Sequence, residues 1–194
     1  MMYGKQGGCM NAEKKIKRLS SILRYAALVL MCLLPIANAG FWITDGYPFF
    51  GGIEWNMIPK ITEVAIPAIA DMTPTMKFFG FLANLIPTGI AMVALGYLAK
   101  LFRLYEELEI FSERSVQCIR HLGYLLLLGQ LLHPIYSALI TLTVTISNPV
   151  GQRLIAIAFG TEEMKIVAIA LIVILISWIM DIGRKLQEEQ AATV

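Results

Sequence analysis

Two histidines, His121 and His133, stand twelve positions apart in a chain of 194 residues. Neither has a second ligand at the spacing a metal ion requires. No Gly-x-Ser-x-Gly elbow, phosphate-binding loop or His-Glu-x-x-His pair occurs, so no catalytic residue, metal or cofactor is implied and the chain reads as a non-enzyme. What remains is a set of polar groups inside apolar sequence. Gly123, Gln130, Ser137 and, approximately, Thr141 fall on one helical face, with His133 beside them and immediately before Pro134. Asn84 and Pro87 occupy another apolar run. Within lipid, Asn84, Gln130, His133 and Ser137 could line a polar pocket or pathway in which His133 titrates. They could instead serve as hydrogen-bonded glue between helices, with the prolines as kinks, and that reading weighs more. No acidic pair lies within the apolar runs, which argues against a typical proton or sodium pump.

The elements that hold these groups follow from composition and its arrangement. The chain is 57% hydrophobic and 15% charged, against about 45–50% and about 25% in soluble domains. A membrane-crossing helix needs about 20 apolar residues. Four stretches qualify, at residues 25–43, 78–99, 122–146 and 166–180, and none contains Asp, Glu, Lys or Arg. A soluble bundle would show a charged face every few residues. The expected fold is therefore an all-α membrane protein, a single domain of four transmembrane helices behind a flexible basic tail over residues 1–20.

Twelve of the sixteen Lys and Arg residues lie before the first span, between the second and third, or after the fourth. The side richer in these residues is cytoplasmic. Both termini and the loop between spans two and three are therefore expected in the cytoplasm. Cys9 and Cys118 then meet a reducing compartment while Cys32 lies in the bilayer, so structural disulfides are not expected. The net charge of +2 gives no reason to invoke nucleic acid. The partners implied are the lipid bilayer and either a second copy or another membrane protein.

The N-terminus has a second possible reading. Lys14-Lys15-Ile16-Lys17-Arg18, an apolar run, and Ala37-Asn38-Ala39 before Gly40 resemble a cleavable signal peptide, and Met10 could serve as the start. Phe41, Trp42 and Ile43 continue the apolar stretch as an interfacial anchor, which favours a retained first span.

At the joints, Thr73-Pro74 has the chemistry of a helix start. The second helix should run on past the membrane through Leu108, with Arg103 and Glu107 paired at i,i+4. Ser112 should cap the third helix, Phe111 and Val116 forming a staple across it. The result is a cytoplasmic helical hairpin whose candidate contact residues are Arg103, Tyr105, Glu107, Phe111, Ser112 and Arg114. Thr161 is expected to cap the fourth helix, and Asp181 to pair with Arg184 or Lys185. Outside the membrane, Thr141–Ile146 and Arg153–Phe159 alternate around Ser147-Asn148-Pro149-Val150-Gly151, predicting a small β-hairpin, with continued helix as the alternative. The glycine- and proline-rich Thr44–Met72 segment, with Tyr47, Phe49, Phe50 and Trp55, suits an interfacial cover.

Leu23, Tyr25, Leu28, Leu33, Pro35, Ile36 and Ala39 match Leu122, Tyr124, Leu127, Leu132, Pro134, Ile135 and Ala138 at one constant offset, a faint echo of duplication. Separately, the run Leu101-Phe102-Arg103-Leu104-Tyr105-Glu106-Glu107-Leu108-Glu109-Ile110-Phe111-Ser112 is followed by His121-Leu122-Gly123, Asn148-Pro149-x-Gly151 and Gly183-Arg184-Lys185-Leu186-Gln187-Glu188-Glu189-Gln190. These resemble the bacterial inner-membrane family catalogued as domain of unknown function 2975. The resemblance covers most of the chain from span two onward and implies a four-span inner-membrane protein without assigned chemistry. Glu109 departs from it, since the family is expected to favour glycine near the turn. Together these features point to an accessory or regulatory membrane protein acting through protein contacts. The alternative is a small transporter, channel or ligand sensor built on the third-span stripe.

Overall fold

The computed structural model describes residues 4–44, 73–146, 155, 157 and 160–192. These form α1 (Gly4–Ile43), α2 (Pro74–Glu106), α3 (Glu113–Thr145) and α4 (Thr161–Ala192), with no strand among the described residues. Each helix is long and apolar enough to cross a membrane. Only 17–22% of the residues in their most apolar stretches are buried, so the greasy surfaces point away from the protein. Leu131 is 73% exposed and Ile36 61%. A water-soluble protein would not leave such surface uncovered.

Two expectations change. Residues 4–20 belong to α1 rather than to a loose tail; from Ala12 to Leu19 the run is made almost entirely of good helix formers. The first expected strand is helical through Thr145. Each threonine there finds its partner within the helix: Thr141 Oγ1 donates to the Ser137 carbonyl (2.7 Å), Thr143 to Leu139 (2.8 Å) and Thr145 to Thr141 (2.7 Å). Back-bonding of this kind satisfies the hydroxyls without a sheet and removes the reason to read the alternation as a strand. Most of the second expected strand, and the cover over residues 45–72, lie outside the described residues.

The chain divides into two compact units. One comprises Met1–Met31, Val93–Leu127 and Ile166–Val194. Its core is Leu101, Leu104 and Cys118, with Tyr97, Tyr105, Ile119 and Leu122 packed around them, so α2 and α3 form an antiparallel pair on either side of the 107–112 turn. Gly123 of α3 lies close to α4: a Cβ there would meet Ile174 Cγ1 at 2.6 Å and the Ala170 carbonyl at 3.4 Å. Small residues let helices approach when lipid supplies no hydrophobic drive.

The other unit comprises Cys32–Met92 and Leu128–Lys165. Trp42, Ala83, Tyr136 and Ile140 form its core, with Phe41 and Phe81 against it. The Trp42 ring fills the notch at Gly80, so α1 and α2 meet there without an intervening side chain. Helix α2 begins at Pro74 with Thr73 before it, as their chemistry predicts, and the Lys77 amide donates to the Thr73 carbonyl at 3.1 Å. At the start of α4 the cap differs from expectation. Gly160 precedes the helix, and its amide donates to Glu163 Oε2 at 2.7 Å, the reciprocal half of a capping box. Gly160, rather than Thr161, thus stands at the capping position, and a carboxylate three residues into the helix satisfies its amide.

Candidate functional site

In the second unit, the apolar helices enclose a polar chain. Asn84 on α2 is 3% exposed, and its Nδ2 donates to Asn38 Oδ1 on α1 at 3.0 Å. The Tyr136 hydroxyl on α3 donates to Asn84 Oδ1 at 2.7 Å. Three helices are therefore joined through one side-chain amide. Such a bond is worth about 0.6–2 kcal/mol within a membrane. The chain is not saturated: Asn38 Nδ2 is buried and lacks a partner among the described residues, as does the nearby Trp42 Nε1.

His133 lies next to this chain, its ring centroid 6.2 Å from that of Tyr136. Its Nδ1 is 3.8 Å from Glu163 Oε1, which brings an α3 imidazole to the α4 cap. Gln130 Oε1 is buried without a partner among the described residues, and Ser137 is fully buried. Of the residues expected to be polar within lipid, Asn84 thus gains hydrogen-bond partners from two other helices, and His133 gains a carboxylate neighbour from α4. The Ser137 carbonyl accepts from the Thr141 hydroxyl.

The first unit holds the α2–α3 turn. The Glu109 amide donates to the Leu104 carbonyl at 2.9 Å and the Leu108 amide to Tyr105 at 3.1 Å. This is a Schellman end, with Leu108 at the left-handed position (φ 62°). Glycine normally occupies that place, because a side chain there costs about 1–2 kcal/mol. The next helix is capped as its sequence predicts: Ser112 Oγ accepts from the Ser115 amide at 3.2 Å, and Ser115 Oγ donates to the Glu109 carbonyl at 2.6 Å. Arg103 Nε pairs with Glu107 Oε1 at 3.3 Å, both exposed. Tyr105 packs against the Leu104–Cys118 core. Arg114 is exposed, and Phe111 is 60% exposed while Val116 is buried. The expected staple therefore leaves most of its phenylalanine uncovered.

Two ion pairs brace helices in this unit. Arg24 of α1 meets Glu106 of α2 at 3.1 Å, and Arg120 of α3 meets Asp181 of α4 at 3.3 Å. Asp181 also receives Arg184 at 3.2 Å and Lys185 at 3.7 Å. It lies beyond the uncharged stretch 166–180. The hydrogen bond from Arg184, aided by Lys185 and Arg120, holds its carboxyl below the usual range.

The family model for proteins of unknown function DUF2975 matches residues 53–194. The chain belongs to DUF2975. No curated protein matches it, and no solved structure does. The DUF2975 match covers the turn, Asn84, Tyr136, His133 and Glu163, whereas Asn38 lies ahead of it. Asn38, Tyr136 and Glu163 are the site residues that sequence reasoning missed. Asn38 is the only amide within residues 25–43, a signal that reading Ala37-Asn38-Ala39 as a cleavage motif concealed.

Proposed function

We propose that this DUF2975 chain is a non-enzymatic, four-span protein of a bacterial inner membrane that acts by presenting the α2–α3 turn to a protein partner in the cytoplasm. The observation carrying the reading is the turn itself. Its backbone is bonded at both helix ends and it tolerates a strained Leu108, yet it leaves Phe111 in the open. Strain kept at an ordered, exposed turn is a mark of functional surface. An exposed aromatic at a turn whose two helices carry the exposed Arg103 and Arg114 offers the residue types that dominate protein interfaces. The charge asymmetry supports cytoplasmic placement of this turn and of both termini. The first helix is retained in this reading, since Asn38 and Trp42, on either side of the signal-like site, are both buried.

A reporter active only in the cytoplasm, joined after Val194 or inserted near Glu109, is expected to be active, and silent near Gly51 or Gly151. Activity at Gly51 overturns the topology. A photo-crosslinker at Phe111 should capture a protein in living cells, and Arg103→Glu with Arg114→Glu should abolish capture at unchanged yield. Capture that survives both reversals removes the docking role.

The unsatisfied Asn38 amide favours a second reading, a ligand sensor or small transporter using the Asn38–Asn84–Tyr136 chain. Asn84→Leu separates them: loss of transport or ligand response in protein that still folds favours the sensor.

A further inference from the structure

Glu163 divides its carboxylate between two tasks. Oε2 accepts the Gly160 amide and closes the start of α4, while Oε1 faces His133 Nδ1 of α3 at 3.8 Å. That nitrogen is sealed from solvent and has no hydrogen-bond partner among the described residues. A bare ring nitrogen turned toward a carboxylate presents one lone pair to another. The same nitrogen carrying hydrogen is attracted to the carboxylate, and a ring carrying both hydrogens forms an ion pair with it. The geometry thus makes the strength of this contact depend on hydrogen at the imidazole.

We propose that His133 and Glu163 form a proton-operated latch between α3 and the start of α4. Imidazole is the side chain whose charge ordinarily changes between pH 5 and 8. Among the described residues, the titratable groups facing His133 are Glu163 from α4 and Tyr136 from its own helix. Among the same described residues, α2 brings the neutral amide of Asn84 to the Tyr136 hydroxyl, and Lys165 follows two residues after Glu163 on α4. With the neutral ring the contact is a weak polar one. With the ring charged, Glu163 holds α3 and closes the α4 cap at the same time. Pro134 follows at once and removes the amide that the Gln130 carbonyl would accept, so α3 is least stiff beside the residue that takes up the proton. On the proposed topology the start of α4 faces outward and the latch reads external acidity. The latch itself does not depend on that orientation.

The test compares melting of the full-length protein in detergent between pH 8 and pH 5 for wild type, His133→Gln, Glu163→Gln and the double variant. Glutamine at 163 keeps a cap acceptor and removes only the charge. The ion pair exists only while His133 is protonated, so its contribution is present at pH 5 and lost as pH rises. The wild-type advantage over Glu163→Gln should therefore widen on acidification by about 2–4 °C. In the His133→Gln background the same charge removal should produce no widening. An advantage that stays constant with pH, or that widens equally without His133, overturns the latch. If His133→Gln fails to fold, histidine-selective nitrogen NMR of wild type decides. Hydrogen on both ring nitrogens at pH 5 and on one at pH 8 is expected, and a ring that stays neutral at pH 5 overturns the proposal.

Discussion

Gly80→Ala is the sharpest probe of the packing in the unit that carries the polar chain. A Cβ at this position would fall among the Trp42 ring atoms Cη2, Cζ3 and Cζ2, the farthest of them at 2.6 Å. Carbon atoms rest at about 3.5–4.0 Å, so the ring or the helix must shift by roughly 1 Å. The ring has little freedom. Trp42 is 2% exposed, lies among Ala83, Tyr136 and Ile140, and meets the edge of Phe41 at 5.4 Å. Overpacking of this sort costs about 1–3 kcal/mol, and the confinement of the ring argues for the upper part of that range.

Gly89 supplies the internal control, because a Cβ there meets nothing within 4 Å. Gly89→Ala should be neutral or should stabilise by up to about 1 kcal/mol through helix propensity. Trp42→Phe removes the second ring and should relieve the clash, so its combination with Gly80→Ala should be less damaging than the two single losses added together, with a coupling of about 1–2 kcal/mol. Reversible unfolding in bicelles, read as the folded fraction against a trapping ligand, measures wild type and the four variants. If Gly80→Ala is as harmless as Gly89→Ala, the close approach of α1 and α2 at Trp42 is wrong. Additive losses would remove the contact even if both variants are unstable.

Leu108→Gly should stabilise the protein by about 1 kcal/mol by relieving left-handed strain, measured by the same unfolding assay; destabilisation would mean that the leucine side chain contributes more than its backbone costs. Tyr136→Phe should lose about 0.6–2 kcal/mol, because it leaves Asn84 Oδ1 without the donor now at 2.7 Å; an unchanged stability would sink the three-helix link. The Asp181 brace has a definite sign with pH. Because its carboxyl is held below the usual range, its contribution is complete above that range and lost as pH falls through the lowered value. Melting of wild type relative to Asp181→Asn should therefore converge only in strong acid, and convergence already at pH 6 would contradict the pairing.

How much was legible in advance depends on the range of the interactions. The four helices follow from uncharged runs, a local property, and the Ser112 cap, the Thr73–Pro74 start and the Arg103–Glu107 pair follow from spacings within one turn. The Asn38–Asn84–Tyr136 chain joins three helices far apart in sequence, so no spacing could announce it. Local chemistry also misled where it was ambiguous. The threonines at 141, 143 and 145 alternate like a strand, yet their hydroxyls bond back to carbonyls of the same helix. Likewise Glu109 drew attention because glycine was expected near the turn, whereas the left-handed residue is its neighbour Leu108.

The two helix braces bear on the echo between the first and third helices. Each has an arginine on the first member of a consecutive pair and a carboxylate on the second: Arg24 with Glu106, then Arg120 with Asp181. A duplicated two-helix unit would explain that pattern if the braces aligned. They do not, because the offset that superposes Tyr25 on Tyr124 and Pro35 on Pro134 brings Arg24 to Gly123, nearly a turn beyond Arg120. Gly123 performs a different task, admitting Ile174 of α4 against the α3 backbone. Common physics accounts for the likeness more simply. A basic side chain at the end of an apolar helix can extend toward water along its own hydrocarbon stem, and a carboxylate on the neighbouring helix is then its nearest counter-charge. The two braces are solutions to the same boundary condition, and the leucine-rich match between the helices does not require a common ancestor.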